Sequence, residues 1–300
     1  MTQKKATKEE KEVLEKYLLQ FLNIEKQFPL LPGIENTAAI ARLMGLEEKE
    51  FLKLRSRFKE NARQAAIELL EDEEVNDWLD DLPFTGDETI VALGDSITDD
   101  LQGWFNIFKH VLEIAVAGAD FTFVNSGVSY DTSSDALKRF NRDVLDHHPD
   151  WVIVGLGTFD MQRLQVAPDR PLISLADYWE NLNTIESAVA EVTENPVIWI
   201  TPPPVITEML QQIRLFNFEL LEEDLKRVRE ILSGKKGYIV DPLGTRMGDE
   251  GPEAWNYLSD GLHPSVSGHV NTVKELLRHL TQTKEPTEGS QLELPEELED

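Results

Sequence analysis

The chain contains no cysteine. Disulfides, thiolate nucleophiles and Cys-ligated metal centres are therefore excluded. Basic residues are scarce: 29 Lys and Arg stand against 56 Asp and Glu, for a formal charge of −27. A surface of that sign repels phosphate backbones, so nucleic acid is not an expected partner. It suits a well-solvated cytosolic protein instead. No apolar run approaches the ~20 residues that a membrane-spanning helix needs. The first residues, Met1-Thr2-Gln3-Lys4-Lys5, lead into a charged helical pattern, with no apolar stretch of the kind a secretory leader carries. A cytoplasmic location without a membrane span is the expectation.

What is present supports a real core. The 300 residues are 41% apolar, enough for one large α/β domain and a smaller companion. Residues from about 7 to 82 read as all-helical, with Leu14, Leu18, Phe21 and Leu22 recurring at helical spacing, as do Ala66, Leu69 and Leu70. Pro29, Pro32 and Gly33 break the first helix from the next, and Asn36 and Thr37 can cap that next helix. The stretch Thr37 to Leu46 has the small-residue, turn-glycine look of a helix-turn-helix. Its presumed second helix starts with Glu47, Glu48, Lys49 and Glu50, which would repel phosphate, so a compact accessory domain is expected.

After the linker Leu82–Asp87 the period changes. Apolar runs at Ile90–Leu93, Phe121–Val124, Trp151–Leu156, Val197–Ile200 and Tyr238–Val240 read as buried strands. Between them lie amphipathic helices. One is expected to carry Leu175, Tyr178, Leu182, Ile185, Val189 and Val192 on one face; another carries Ile213, Phe216, Leu221, Leu225, Val228 and Leu232. Alternation of this kind predicts an α/β fold with a parallel sheet of about five strands and helices on both faces. The chain divides into three segments: a helical domain over 1–84, the α/β domain over 85–282, and an acidic disordered tail over 283–300.

The chemistry centres on Gly94-Asp95-Ser96, where a β-branched run stops at a turn that presents one hydroxyl. In open α/β sheets this is the edge where ligands bind. A serine hydroxyl needs a base. Of the six His, five have plain readings: His110 and His279 lie in helical patterns, His147 and His148 in a loop, His269 at a helix start. His263 differs. It sits after the last strand, with Asp260 three residues before it. That spacing lets a carboxylate reach one ring nitrogen while the other faces outward; it equally suits a pair that merely caps the helix beginning near Ser265. Three further loops should share this edge: Asn125–Ser129, Gly157–Asp160 and Thr201–Pro204. Gly127 would let a backbone N–H approach a ligand closely, or it is a plain turn glycine.

Together these blocks resemble the SGNH/GDSL hydrolase family over roughly residues 88 to 280. Gly94-Asp95-Ser96-Ile97-Thr98 resembles its first block and Asn125 through Thr132 its second. Trp151 through Asp160 resembles the third, and Asp260-Gly261-Leu262-His263-Pro264, with Gly268 downstream, the last. The helical segment ahead of the domain looks similar to bacterial members. The resemblance implies a flavodoxin-like three-layer sandwich. It implies Ser96 as nucleophile, His263 as base, Asp260 as its orienting acid, and the amides of Ser96 and Gly127 as oxyanion donors. It implies a small ester as substrate and neither cofactor nor metal. Asp95, Tyr130, Thr158, Phe159 and Asp160 are the expected pocket residues. Two positions depart from the family pattern. Phe159 stands where an oxyanion-donating Asn is usual, and Phe cannot donate; Thr158, Gln162 or water would have to substitute. Tyr130 stands where many members have Gly. The residues also support two other readings: a non-catalytic binding or regulatory protein, motivated by Phe159, and a metal-dependent phosphohydrolase using Asp95, Asp99, Asp100, Asp131 and Asp160.

Overall fold

A computed structural model describes residues 5–116, 118–213, 216–242, 252–283, 286, 287 and 289. Five helices come first: α1 (Lys8–Tyr17), α2 (Ile24–Gln27), α3 (Thr37–Leu43), α4 (Glu48–Leu69) and α5 (Glu73–Leu79). Next come β1 (Thr89–Gly94), α6 (Ser96–Asp99), α7 (Trp104–Ala115), β2 (Thr122–Gly127), α8 (Ser133–Asp143) and β3 (Trp151–Gly155). The chain continues through β4 (Arg163–Leu164), α9 (Leu175–Ala190), β5 (Ile198–Ile200), α10 (Thr207–Leu210) and β6 (Phe218–Glu219). It closes with α11 (Glu222–Ser233), β7 (Tyr238–Val240) and α12 (Val266–Gln282).

The main sheet has five parallel strands in the order β2-β1-β3-β5-β7. The strand–helix alternation predicts such a parallel sheet, and its order is the flavodoxin-like one that the family resemblance implies. Its strands read as continuous apolar runs because both faces are covered. Ile90, Ala92, Ile153, Ile198 and Ile200 point into one cluster with α4, α5, α7 and α12. Val91, Leu93, Val152, Val154 and Trp199 point into the other, with α8, α9 and α11. Successive strand residues thus alternate between two cores. α4 and α5 contribute Ala62, Ala66, Leu69, Val75 and Trp78 to the first of them. A separate cluster of Leu19, Ile40, Ala41, Leu46, Phe51 and Phe58 joins the turn after α1 to α3 and α4, with Leu14 of α1 packed against it, and includes Leu101, just past α6.

Asn36 caps α3 as its position suggests, its side chain accepting from Ala39 N–H at 3.0 Å. Several boundaries differ from the apolar pattern. β2 does not stop at Val124 but runs on to Gly127, because those residues stay in register with β1 up to Gly94. The helix expected to include Ile213 and Phe216 begins only at Glu222. Ile213 lies after α10, and Phe216 precedes the short strand β6, which pairs with β4. Val192 lies beyond α9 and is 42% exposed. The linker is pinned by Phe84, whose ring meets Phe108, Phe121 and Trp151 edge-on. Most of the expected disordered tail lies outside the described residues; Thr287, within it, pairs with Gly237 in an antiparallel bridge.

At the C-terminal edge three glycines stand in register: Gly127, Gly94 and Gly155. α6 lies directly over them. A Cβ on Gly94 would meet Thr98 Oγ1 at 2.1 Å, and one on Gly127 would meet the Asp99 nitrogen at 2.5 Å. Any larger residue would push α6, which begins at Ser96, off the sheet edge.

Candidate active site

Ser96 is the first residue of α6, and Asp95 caps that helix by accepting from Ile97 N–H at 2.9 Å. Ser96 Oγ lies 2.8 Å from His263 Nε2. On the other side of the ring, His263 Nδ1 lies 2.9 Å from Asp260 Oδ2. The residues are 167 and 3 positions apart in sequence, yet they form one unbroken line. All three are nearly excluded from solvent, with 1%, 2% and 1% exposure for Ser96, His263 and Asp260.

Burial works against the Asp260 charge. The hydrogen bond and charge of His263, with the Leu262 and His263 amides, outweigh it and hold the pKa below the ordinary carboxylate value. An ionised carboxylate only accepts hydrogen bonds, so Nδ1 carries the ring proton and Nε2 offers a lone pair to the Ser96 hydroxyl. Helix capping, the plainer reading of this loop, falls to another residue: Ser265 caps α12, its hydroxyl accepting from Gly268 N–H.

The expected oxyanion residues are placed differently from one another. Gly127 N–H donates to Asn125 Oδ1 at 3.0 Å, and the Gly127 carbonyl accepts from Lys26 Nζ at 3.0 Å. Its amide is therefore already engaged, because β2 extends through it. Three residues on, Tyr130 adopts φ 68°, a left-handed conformation that side chains other than Gly, Asn and Asp rarely take. Among the described residues no acceptor takes the Tyr130 N–H or the Ser96 N–H. The loop carrying Tyr130 is tied to the nucleophile turn by Val128 N–H to the Gly94 carbonyl at 3.0 Å and by Ser129 Oγ to Asp99 Oδ2 at 3.1 Å.

Phe159 is fully buried after β3. Its ring packs edge-on against Tyr130 at 5.3 Å and stands 6.3 Å from the His263 ring. Gln162 Nε2 donates back to the Phe159 carbonyl at 2.9 Å, which removes one of its N–H groups from any other use. Thr158 lines a small pocket together with Asp95, Thr98, Thr201 and Pro264. Asp160 accepts from Ser133 N–H at 3.0 Å and so braces α8 against β3. Burial raises the pKa of Asp95 to about 7 and that of Asp160 to about 6.

The five aspartates weighed as metal ligands have separate partners. Asp95 takes the Ile97 amide, Asp99 takes Lys26 and Asn23, Asp100 takes His269, Asp131 takes Arg139, and Asp160 takes Ser133. Among the described residues no group of three or more His, Asp or Glu side chains is arranged to hold a metal ion.

Some residues at the site carried no signal in the sequence. Arg139 of α8 reaches Asp131, Asp143 and the carbonyls of Ser126 and Gly94, binding three elements at once. Phe21 lies on the His263 ring, and Asn23 and Lys26 reach Asp99 from the N-terminal helices. Burial lowers the Lys26 pKa and raises that of Asp99, and their mutual attraction opposes both shifts.

A model of the GDSL-like Lipase/Acylhydrolase family matches residues 92–270, more than half of the chain. The chain belongs to that family. Membership assigns this GDSL-family protein to the carboxylic ester hydrolases. The uncharacterized lipoprotein YqeF of Bacillus subtilis (strain 168) is 32% identical over 107 residues, spanning 32% of this chain and 41% of that protein. An acetylxylan esterase of Geobacillus stearothermophilus is 23% identical over 214 residues, 64% of this chain and 94% of the relative. Among solved structures, the lipase/acylhydrolase from Enterococcus faecalis superposes with a TM-score of 0.51 at 26% identity, covering 67% of this chain and all of that one. The Geobacillus acetylxylan esterase Axe2 also reaches 0.51, at 23% identity, which bears on the fold alone. Among the described residues no helix of this GDSL-family chain is long and apolar enough to cross a membrane.

Proposed function

We propose that the protein is a serine esterase that cleaves a small carboxylic ester through Ser96, His263 and Asp260. The observation that carries this reading is the unbroken line from Asp260 Oδ2 to His263 Nδ1 at 2.9 Å and from His263 Nε2 to Ser96 Oγ at 2.8 Å. Ser96 Oγ attacks the ester carbonyl while His263 Nε2 accepts its proton. Asp260 keeps the ring in the accepting tautomer and stabilises the imidazolium. His263 then returns the proton to the departing alcohol. In the second half, water attacks the acyl-enzyme with the same base.

The tetrahedral oxyanion needs donors placed in advance. We assign them to the amides of Ser96 and Tyr130 in place of Ser96 and Gly127, because Gly127 N–H is taken by Asn125. With Phe159 where a third, side-chain donor is usual, the site is an attenuated one. The acetylxylan esterase relative suggests an ester with a short acyl group. Fluorophosphonate labelling tests the assignment. Wild-type protein should be labelled at Ser96 and should hydrolyse p-nitrophenyl acetate, and Ser96→Ala should do neither while keeping its circular dichroism. Undiminished hydrolysis by Ser96→Ala would overturn the reading.

A further inference from the structure

The segment between α1 and α2 lies outside the family match and lays one ring on the base of the serine–histidine pair. The Phe21 ring rests against the His263 imidazole, with centroids 4.2 Å apart and planes inclined by 32°. Phe159 stands 6.3 Å from the same imidazole, and Tyr130 packs on Phe159. Two aromatic rings thus stand by the base, with Tyr130 behind one of them, while Ser96 keeps only 1% of its surface.

Phe21 is held where it is from several directions. The Gln20 carbonyl accepts from Leu101 N–H at 2.9 Å, and the Gln20 side chain from Gln102 Nε2 at 2.8 Å. Ser129 Oγ donates to the Phe21 carbonyl. Asn23 Nδ2 donates to Asp99 Oδ1 at 2.6 Å and is braced by Arg55 at 2.7 Å on its Oδ1. Lys26 Nζ donates to Asp99 Oδ1 at 2.6 Å, to Asn125 Oδ1 at 2.9 Å and to the Gly127 carbonyl at 3.0 Å. Leu19 anchors the other end in the cluster with Phe51, Phe58 and Leu101. A ring tied down at both ends is a wall of the site.

We propose that Phe21 is the residue that limits the acyl group, so that this site takes short acyl esters and rejects long ones. The proposal rests on the esterase reading and adds the part of the chain that sets its selectivity. The acyl carbon must sit beside Ser96 Oγ during attack, next to the His263 ring that Phe21 covers. An acetyl group asks the ring to yield slightly. Each further methylene asks for more, and displacing the ring strains the hydrogen bonds that fix Gln20, Asn23 and Lys26. One methylene of misfit in an apolar pocket is worth roughly 10–200-fold in rate.

The test compares kcat/KM for p-nitrophenyl acetate, butyrate and octanoate in the wild type, Phe21→Ala and Phe21→Leu, with fluorophosphonate labelling of each. The octanoate-to-acetate ratio should rise by about tenfold or more in Phe21→Ala, by the same methylene-misfit scale, with Phe21→Leu between it and the wild type. An unchanged ratio in both variants overturns the proposal and leaves the esterase reading standing. An equal change on all three esters also overturns it, since that marks a residue that merely supports the fold. Absence of both labelling and turnover in all three proteins overturns the esterase reading and the proposal together. Should Phe21→Ala fail to fold, Phe21→Leu alone carries the comparison.

Discussion

Asp260 holds His263 twice. Its Oδ2 accepts from the ring at Nδ1 and its Oδ1 from the backbone N–H of the same residue, both at 2.9 Å. Leu262 N–H adds another donor to Oδ1 at 2.9 Å. One carboxylate therefore fixes the loop, the ring orientation and the tautomer together. Gly261, at φ 67°, makes the tight return from Asp260 to His263 possible, and a Cβ there would meet the Ile206 carbonyl at 2.6 Å.

Replacing Asp260 by Asn should keep the shape and reverse the tautomer. An amide NH2 donates to Nδ1, which leaves the proton on Nε2, where it cannot accept from Ser96. In the esterase reading, kcat/KM for p-nitrophenyl acetate should fall by about 10³–10⁴. A loss under about tenfold would mean that the carboxylate does not direct the base.

Much of this arrangement can be read from the chain before it folds. The β-branched run into Gly94-Asp95-Ser96 and the Asp260–His263 spacing are local patterns, and local patterns survive in sequence. β2 shows the limit. Asn125-Ser126-Gly127 reads as a loop by residue type, yet pairing with β1 keeps it extended, and that extension commits the Gly127 amide to Asn125. Helix α11 shows another. Ile213 and Phe216 fit its apolar face by spacing, but the chain between α10 and α11 includes the strand β6, which pairs with β4, and the helix starts only at Glu222. Phe21 is invisible for a third reason. It reads as one more apolar residue on a helix face, and only tertiary packing brings it to a histidine more than two hundred residues away.

The buried aspartates predict an unusual dependence of stability on pH. Burial raises Asp95 to about 7 and Asp160 to about 6, while an unfolded Asp sits near ~3.9. Between about 4 and 7 the folded state holds protons that the unfolded chain has lost, so both groups make stability fall as pH rises through that window. Asp260 acts oppositely. Its lowered pKa contributes stability above ~3.9 that is lost as pH falls through the folded value. Asp95→Asn keeps the cap on Ile97 and removes the cost of burying a charge. It should stabilise the fold at pH 8, by up to about 4 kcal/mol, and leave it nearly unchanged at pH 4. Thermal melts at the two pH values decide this, and an equal shift at both would contradict the burial account.

Arg139 should matter more to the fold than Lys138 or Arg142, the other cations of α8. Its side chain is only 9% exposed and serves Asp131, Asp143 and two strand-end carbonyls. Arg139→Ala leaves those acceptors partly buried without their donor. Breaking such a pair costs about 3–5 kcal/mol, and Tm should drop by roughly 6–15 °C. Arg139→Lys should recover little, because a single ammonium cannot reach four acceptors in a planar fork. Recovery of full stability by Lys would show that charge alone suffices.

Phe159→Asn asks whether the missing donor governs the rate. The ring is fully buried against Tyr130, so its loss should destabilise the fold by about 3 kcal/mol through the space it leaves. If the oxyanion rests on the Ser96 and Tyr130 amides alone, an amide at 159 supplies a third hydrogen bond made only in the transition state. One such donor is worth about 10²–10³ in kcat. The expected result is therefore a less stable protein with a higher kcat and a KM close to that of the wild type. Those two parameters separate the effects, because a ring that merely packs the pocket would on removal change KM and leave kcat where it was. An unchanged kcat in a folded Phe159→Asn variant would mean that another group already fills the third position.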